Sequence, residues 1–259
     1  MSSNFFYYPL ISLCLLSGLL ASCDNSNKPT PPKPEPVPAP IPPPLPGNDV
    51  VQIDFNFNSN TDGWTAGFAD YPIAQASIFN LSANFSQLPA PLQTASGFMV
   101  SGTNRSDDLF MFIKKRFSGF SANTQYQIQF EITFASDAPS GCIGVGGAPG
   151  EAVTIKAGAS VIEPLAINDG NNVYIMNIDK GNQSVGGSDA ISIGDFANSK
   201  ICDNSGFTYE LKTLNNNIAP FSVLTGSDGN LWFSFSTDSG FESTTQIYYI
   251  GGKIKATKI

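Results

Sequence analysis

Between residues 126 and 134 the chain alternates without a break. Tyr126, Ile128, Phe130, Ile132 and Phe134 are apolar, and Gln127, Gln129, Glu131 and Thr133 between them are polar. A strand turns successive side chains to opposite faces, so this stretch has one face for a core and one for water. The same period recurs twice. Val51, Ile53, Phe55 and Phe57 alternate with Gln52, Asp54 and Asn56, and Leu231, Phe233 and Phe235 with Trp232, Ser234 and Ser236. Further strands are predicted over 77–85, 97–101, 109–117, 141–145, 152–156, 173–178, 190–193, 207–211, 221–224 and 246–257. Turn signals punctuate them: Asp62-Gly63, Asp169-Gly170, Lys180-Gly181-Asn182, Asp228-Gly229-Asn230, Ser239-Gly240 and Gly251-Gly252. No stretch after residue 48 keeps a 3.6-residue apolar period over three turns. Many short strands without helical periodicity predict an all-β sandwich or barrel.

The first 48 residues follow a different logic. Residues 1–22 carry no charged side chain, and residues 10–20 are apolar except for Ser12, Ser17 and Gly18. That run is the length of a signal-peptide apolar region and short of a membrane span. It closes on Leu20-Ala21-Ser22-Cys23, which resembles the lipobox of bacterial lipoproteins. The resemblance implies cleavage before Cys23 and lipidation of that residue, with enough acyl chains for stable anchoring. The segment Met1-Ser2-Ser3-Asn4 departs from the pattern, having no Lys or Arg. An ordinary cleaved signal and a short membrane helix are the alternatives. Asp24 resembles an inner-membrane retention signal of enteric lipoproteins, a rule that varies between bacterial groups. Residues 27–46 are dense in proline, which removes backbone donors and favours extended polyproline II. The expected organisation is a signal peptide over 1–22, a lipidated and proline-rich tether over 23–48, and one sandwich over 49–259. The expected location is the bacterial cell envelope, with the membrane as a partner through the anchor.

The formal charge of −8 argues against nucleic acid, which requires clustered Lys and Arg. Lys114-Lys115-Arg116 is the one basic run. Of four cysteines, Cys14 would leave with the signal and Cys23 would carry lipid, so Cys142 and Cys202 remain for a disulfide in an oxidising compartment. Two buried thiols are the alternative. Closing that loop would contribute roughly 3–4 kcal/mol on the chain-entropy account.

The opening of the body, Ile53-Asp54-Phe55-Asn56 through Asp62-Gly63-Trp64, resembles the first strand and turn of galactose-binding-like jelly rolls, the sandwiches of many carbohydrate-binding modules. The ending, Phe241-Glu242-Ser243-Thr244-Thr245 into Ile247-Tyr248-Tyr249-Ile250 and Lys253-Ile254-Lys255, is similar to theirs. The resemblance implies a jelly-roll β-sandwich whose first and last strands lie together. It also implies a structural calcium near them, for which Asp54 and Asp62 are the candidate ligands. Gly251-Gly252 stands where the family commonly has an Asp, and Asn58 to Gly63 only partly matches a calcium loop, with Ala69 at its twelfth position. The middle of the chain resembles uncharacterised secreted bacterial proteins. The segments are Trp64-Thr65-Ala66-Gly67-Phe68-Ala69-Asp70-Tyr71-Pro72, Ser106-Asp107-Asp108-Leu109-Phe110-Met111-Phe112 and Asp238-Ser239-Gly240-Phe241-Glu242.

The chain has no histidine, which removes Ser-His-Asp and Cys-His catalysis and most zinc and copper sites. The body has five Glu and no Glu-x-Asp-x-x-Glu strand, the pattern of jelly-roll glucanases. A carboxylate pair such as Asp107 with Asp238 remains open. The glycine-rich run at 141–150 lacks the Lys-Ser/Thr of a phosphate loop and reads as a tight β connection. If Leu231 and Phe233 face the core, Trp232 faces out and offers a flat surface to a sugar ring, unless a loop covers it. Trp64, Phe68 and Tyr71 fall in an irregular connection where binding residues collect, and Trp64 is alternatively a plug for one end of the sandwich. With Asp107, Asp108 and Asp238 these are the candidate ligand residues. The expectation is a lipid-anchored envelope protein that binds carbohydrate without catalysis and without a cofactor beyond the structural calcium. The alternatives are an adhesive surface protein recognising protein, and a carboxylate-dependent enzyme acting on glycans.

Overall fold

The structure is a computed structural model and describes residues 49–203 and 206–259. The signal segment, Cys23 and the proline-rich tether lie outside the described residues. Fifteen strands follow one another in the described residues. They are β1 (Val50–Asn56), β2 (Thr65–Ala69), β3 (Tyr71–Pro72), β4 (Ser82–Gln87), β5 (Ser96–Thr103), β6 (Leu109–Ser118), β7 (Gln125–Ser136), β8 (Val153–Ser160), β9 (Ala166–Asn168), β10 (Val173–Met176), β11 (Ala190–Asp195), β12 (Glu210–Asn215), β13 (Phe221–Leu224), β14 (Asn230–Ser239) and β15 (Thr244–Lys258). They form a jelly-roll β-sandwich, as the alternation and the resemblance both predict.

One sheet has seven strands, and β15 is its spine. On one side β15 pairs with β7 from Tyr248 to Lys258. On its other side it pairs first with β5 and then with β1, so the first and last strands are joined antiparallel. β4 extends the sheet beyond β5, and β12 and β13 lie end to end along the far edge of β7. Where those two short strands leave a gap, a side chain fills the ladder. Phe130 N donates to Asn216 Oδ1 at 2.6 Å, and Asn216 Nδ2 donates to the Ile128 carbonyl at 3.0 Å. The other large sheet runs β11-β8-β14-β6-β2.

The apolar half of each alternation meets between the sheets. Phe55 of β1 lies 4.7 Å from Trp64 and 5.6 Å from Phe235 of β14, ring centre to ring centre, and Phe130 of β7 lies 5.8 Å from Phe235. Burying each such side chain contributes about 1.5–3 kcal/mol. Paired rings add roughly 0.5–1.5 kcal/mol beyond area.

A third, small sheet, β3-β10-β9, joins the two strands of the excursion over residues 161–189 to β3. Met176 and Ile178 of that excursion pack on Ala69, Phe110 and Phe112, which face away from the main core. The excursion therefore roofs the outer face of the five-stranded sheet. Among the described residues no such layer covers the β1–β15–β7 portion of the seven-stranded sheet's outer face, where Gln52, Asp54, Asn56, Gln127 and Lys255 are exposed.

Four local expectations are corrected. Residues 77–85 are not one strand: Ile73–Phe79 is a 3-10 helix ended by Asn80 in the left-handed region, and β4 follows. Residues 141–145 are an irregular connection rather than a strand, with Gly141 and Gly146 at φ of 77° and 72°. The connection holding Trp64 and Phe68 is partly strand, since β2 pairs with β6. Gly67 hid it by interrupting the alternation, and glycine is required there because a Cβ would run into the Phe112 ring. Gly251-Gly252 lies inside β15, directly after a bulge at Ile250, rather than in a turn. A Cβ at Gly252 would strike the Glu131 carbonyl, so the close approach of β7 demands glycine.

Candidate functional site

The predicted ligand residues scatter. Trp64 is 2% exposed and sits in the core among Phe55, Phe57, Phe117 and Phe235. Phe68 packs against the same core. Tyr71 is buried between Phe79 and Tyr174. Trp232 is half-buried on the outer face of β14, with Lys114 Nζ 5.4 Å from its ring centre. No open surface joins Trp64, Tyr71 and Trp232. Asp54 is exposed and accepts from Gln52 at 2.9 Å, and Asp62 pairs with Lys115 at 3.2 Å. Neither belongs to the one group of three carboxylates within reach of a common ion among the described residues. Cys142 and Cys202 are joined in a disulfide, with Cα atoms 5.0 Å apart, as the cysteine count predicts.

Asp108 and Asp238 do come together, and Asp70 joins them. Asp107 does not: it is exposed, in the left-handed region, and its carbonyl accepts from Gln183. Five segments supply the cluster. Lys156 of β8, fully buried, donates to the Lys180 and Val185 carbonyls at 2.8 and 3.0 Å and pairs with Asp238 Oδ2 of β14 at 2.9 Å. Lys180 of the roof reaches Asp238 Oδ2 at 3.0 Å and Asp70 Oδ2 at 2.9 Å, and its ammonium lies 4.7 Å from the Phe110 ring centre.

Burial pushes the Asp108 carboxyl up to about 7, helped by the Asp238 charge. Burial would raise Asp238 too, but the Lys180 and Lys156 ammoniums outweigh it and hold that carboxyl below its usual range. Burial lowers Lys156, while Asp238 and Asp70 outweigh burial and raise Lys180. Asp108 Oδ1 and Asp238 Oδ1 are buried and accept from no protein donor. A proton held on Asp108 and shared with Asp238 satisfies both. The remaining two carboxylates then face two ammoniums, and Lys180 already occupies the place a cation would take. A cleft of about 270 Å³ opens beside Asp70, Asp108 and Lys180.

The seven-stranded sheet carries a different surface. Its polar alternates line two adjoining depressions of about 310 and 370 Å³ that share Glu131 and Lys253. Gln129 and Glu131 come from β7, Gln52, Asp54 and Asn56 from β1, and Lys253 and Lys255 from β15. Asn217 overhangs one end and Asn58 the other. Lys253 stands 3.4 Å from Glu131, so those charges largely cancel. Amides present a donor and an acceptor side by side, the pattern that matches neighbouring hydroxyls. Apart from Asp54, sequence reasoning passed over these residues because they were only the polar partners of a strand. The signal was present in their identity: Gln and Asn, where Ser, Thr or Lys would have served solubility equally.

No protein-family model matches the chain, and no curated protein matches it. Among solved structures it is similar to the enzymatically active domain of bacteriophage CBA120 tailspike protein 4, at 12% identity over 79% of this chain and 20% of that one, with a TM-score of 0.31. It is similar to a structure of carbohydrate-binding modules from the β-sandwich superfamily, at 12% identity over 76% of this chain and 58% of that one, with a TM-score of 0.36. A third is Caldicellulosiruptor saccharolyticus CBM27-1 in complex with mannohexaose, at 11% identity over 78% and 96% of the two chains, with a TM-score of 0.32. The chain thus spans a fifth of the tailspike domain and 58% of the second structure. Likenesses of this degree carry nothing about ligand or activity.

Proposed function

We propose that this chain is a lipid-anchored cell-envelope protein whose sandwich binds carbohydrate, without catalysis, on the outer face of the seven-stranded sheet. The observation that carries the reading is the pair of adjoining depressions over β1, β15 and β7, lined by amide and charged side chains on a sheet face that no described residue covers. A groove of amides with paired charges suits hydroxyls, and its shallow open shape suits a chain rather than an enclosed small molecule. Binding without turnover is supported by the placement of the carboxyl pair Asp108 and Asp238 away from the groove. Asp108 and Asp238 stand on the other sheet, where two lysines bind up the negative charge. Anchoring rests on Leu20-Ala21-Ser22-Cys23, and the charge of −8 argues against nucleic acid as partner.

Glycan-array binding by the full-length protein that is lost in a Gln129→Ala, Lys253→Ala double variant supports the reading. An array with no bound glycan refutes it. Mass spectrometry of the mature N-terminus tests the anchor, with an acylated Cys23 as the expected result.

A second reading, adhesion to protein, is favoured by one feature. Ile143 and Ile201, 99% and 79% exposed, flank the two disulfide cysteines and form an apolar tip with Val145. Cross-linking to a surface protein through that tip, lost in Ile143→Ser, would support it.

A further inference from the structure

The outer face of the seven-stranded sheet continues past the groove. Along β7 the outward residues run Gln129, Glu131, Thr133 and Ala135, with Asp137 just beyond the strand. Six residues at about 3.3 Å each carry the face roughly 20 Å from Gln129 to Ala135. The middle of that path is low and uncharged, with the Thr133 and Thr213 hydroxyls bonded to each other at 2.8 Å.

At its far end stands a second constellation. Tyr248 of β15 is in register with Ala135, and Tyr209 precedes Glu210, which is in register with Ser136. The two rings meet edge to face at 5.5 Å. Gln246 donates to the phenol oxygens of Tyr248 at 2.7 Å and Tyr209 at 3.3 Å. Each phenol oxygen is thereby used as an acceptor, and the proton of half-buried Tyr209 is left for a further partner. The nearby Asp137 carboxylate takes no hydrogen bond from any other described residue. Its charge bears on both tyrosines, which burial first and Asp137 second push up. Leu88, Met99 and Ala135 form an apolar floor under the rings.

A half-buried phenol and a half-buried carboxylate side by side, braced by the buried Tyr248 ring over an apolar floor, offer a sugar ring a donor, an acceptor and an aromatic edge. We infer that Tyr209 and Asp137, with the buried Tyr248 holding the Tyr209 ring in place, form a second sugar subsite on the face that bears the groove, so that the ligand is an extended, uncharged oligosaccharide lying along β7 and β15. The inference rests on the carbohydrate reading above. Lack of charge in the ligand follows from the groove, where Glu131 and Asp54 balance Lys253 and Lys255, and from Asp137, which would repel an anionic sugar.

The test is calorimetric titration of the full-length protein with cello-, manno-, xylo-, chito- and malto-oligosaccharides, each as the disaccharide and the hexasaccharide. At least one hexasaccharide should bind about 10-fold or more tighter than its disaccharide, because it engages both subsites. Tyr209→Phe and Asp137→Asn should each reduce that advantage by about 5-fold or more and leave disaccharide affinity within about 2-fold, since neither touches the groove. Both substitutions keep side-chain volume, and thermal melts check that the fold is retained. A hexasaccharide advantage unchanged in both variants overturns the second subsite and leaves the groove reading intact. Equal binding of disaccharide and hexasaccharide by the unaltered protein also overturns it. No binding of any of the ten sugars refutes the carbohydrate reading itself, and the inference falls with it.

Discussion

Asp238 is the residue on which the five-stranded sheet and its roof depend for charge balance. It is fully buried, and its Oδ2 holds both Lys156 and Lys180. Buried ion pairs are weak evidence for stability as such, but removing one partner leaves an unpaired buried charge. Asp238→Ala is therefore expected to destabilise the protein by about 3–5 kcal/mol in urea titration. Replacing the pair as Asp238→Leu with Lys156→Met should restore part of that loss.

Asp108 sets a pH dependence with a definite sign. Its folded pKa of about 7 lies above the unfolded carboxylate value, so the folded state holds the proton more tightly. The stability linked to that proton is full in acid and is lost as pH rises toward and through 7. Asp108→Asn mimics the protonated form and removes the dependence. Relative to Asp108→Asn, the unaltered protein should lose stability between pH 5 and pH 8, as read by urea midpoints at each pH. A difference that stays flat over that interval would show that Asp108 ionises normally. Asp108 and Asp238 stood out in the sequence, but their lysine partners and Asp70 did not, because residues 70, 108, 156, 180 and 238 meet only through four strands and a roof. The Asp107 and Asp238 pairing missed by a single residue, since the left-handed turn at Asp107 sends the next side chain inward.

At the scale of elements, strands with unbroken alternation and apolar runs such as β6 and β13 were readable, and those broken by glycine or only two or three residues long were not. β7 was bounded to within two residues at each end, and β13 was placed at 221–224 as observed. β2 was lost to Gly67, and the roof strand β9 is too short to have a period. Gly251-Gly252 looked like a turn because glycine pairs usually mark one, yet here β1 and β7 both press on the backbone of β15. Gly252→Ala should cost more than about 1 kcal/mol by pushing β7 away, and it should weaken glycan binding through the groove that these glycines help to line. The disulfide acts between elements: Cys142 follows β7 and Cys202 precedes β12. Its reduction should lower stability by about 2–4 kcal/mol while leaving the groove's affinity unchanged, as measured by denaturation and calorimetry with and without reductant.

For the whole molecule, asymmetry between the two sheets decides where a ligand can lie. One outer face is closed by the roof over residues 161–189, and the groove side of the other is open. Aromatic residues attracted attention in the sequence because of their size, but the sandwich uses most of them internally. Trp64 fills the core, and Trp64→Ala should destabilise the protein by about 3–5 kcal/mol. Trp232 stands on the sheet opposite the groove, so its loss should spare binding. The fold class was legible from local period alone, whereas the site required knowing which face the excursion covers, a long-range fact. The most direct test is a glycan-array comparison of the unaltered protein with the Gln129→Ala, Lys253→Ala double variant and with Trp232→Ala. Binding abolished in the double variant and retained in Trp232→Ala is the expected result. Binding abolished in Trp232→Ala and retained in the double variant would place the ligand on the wrong sheet for this account.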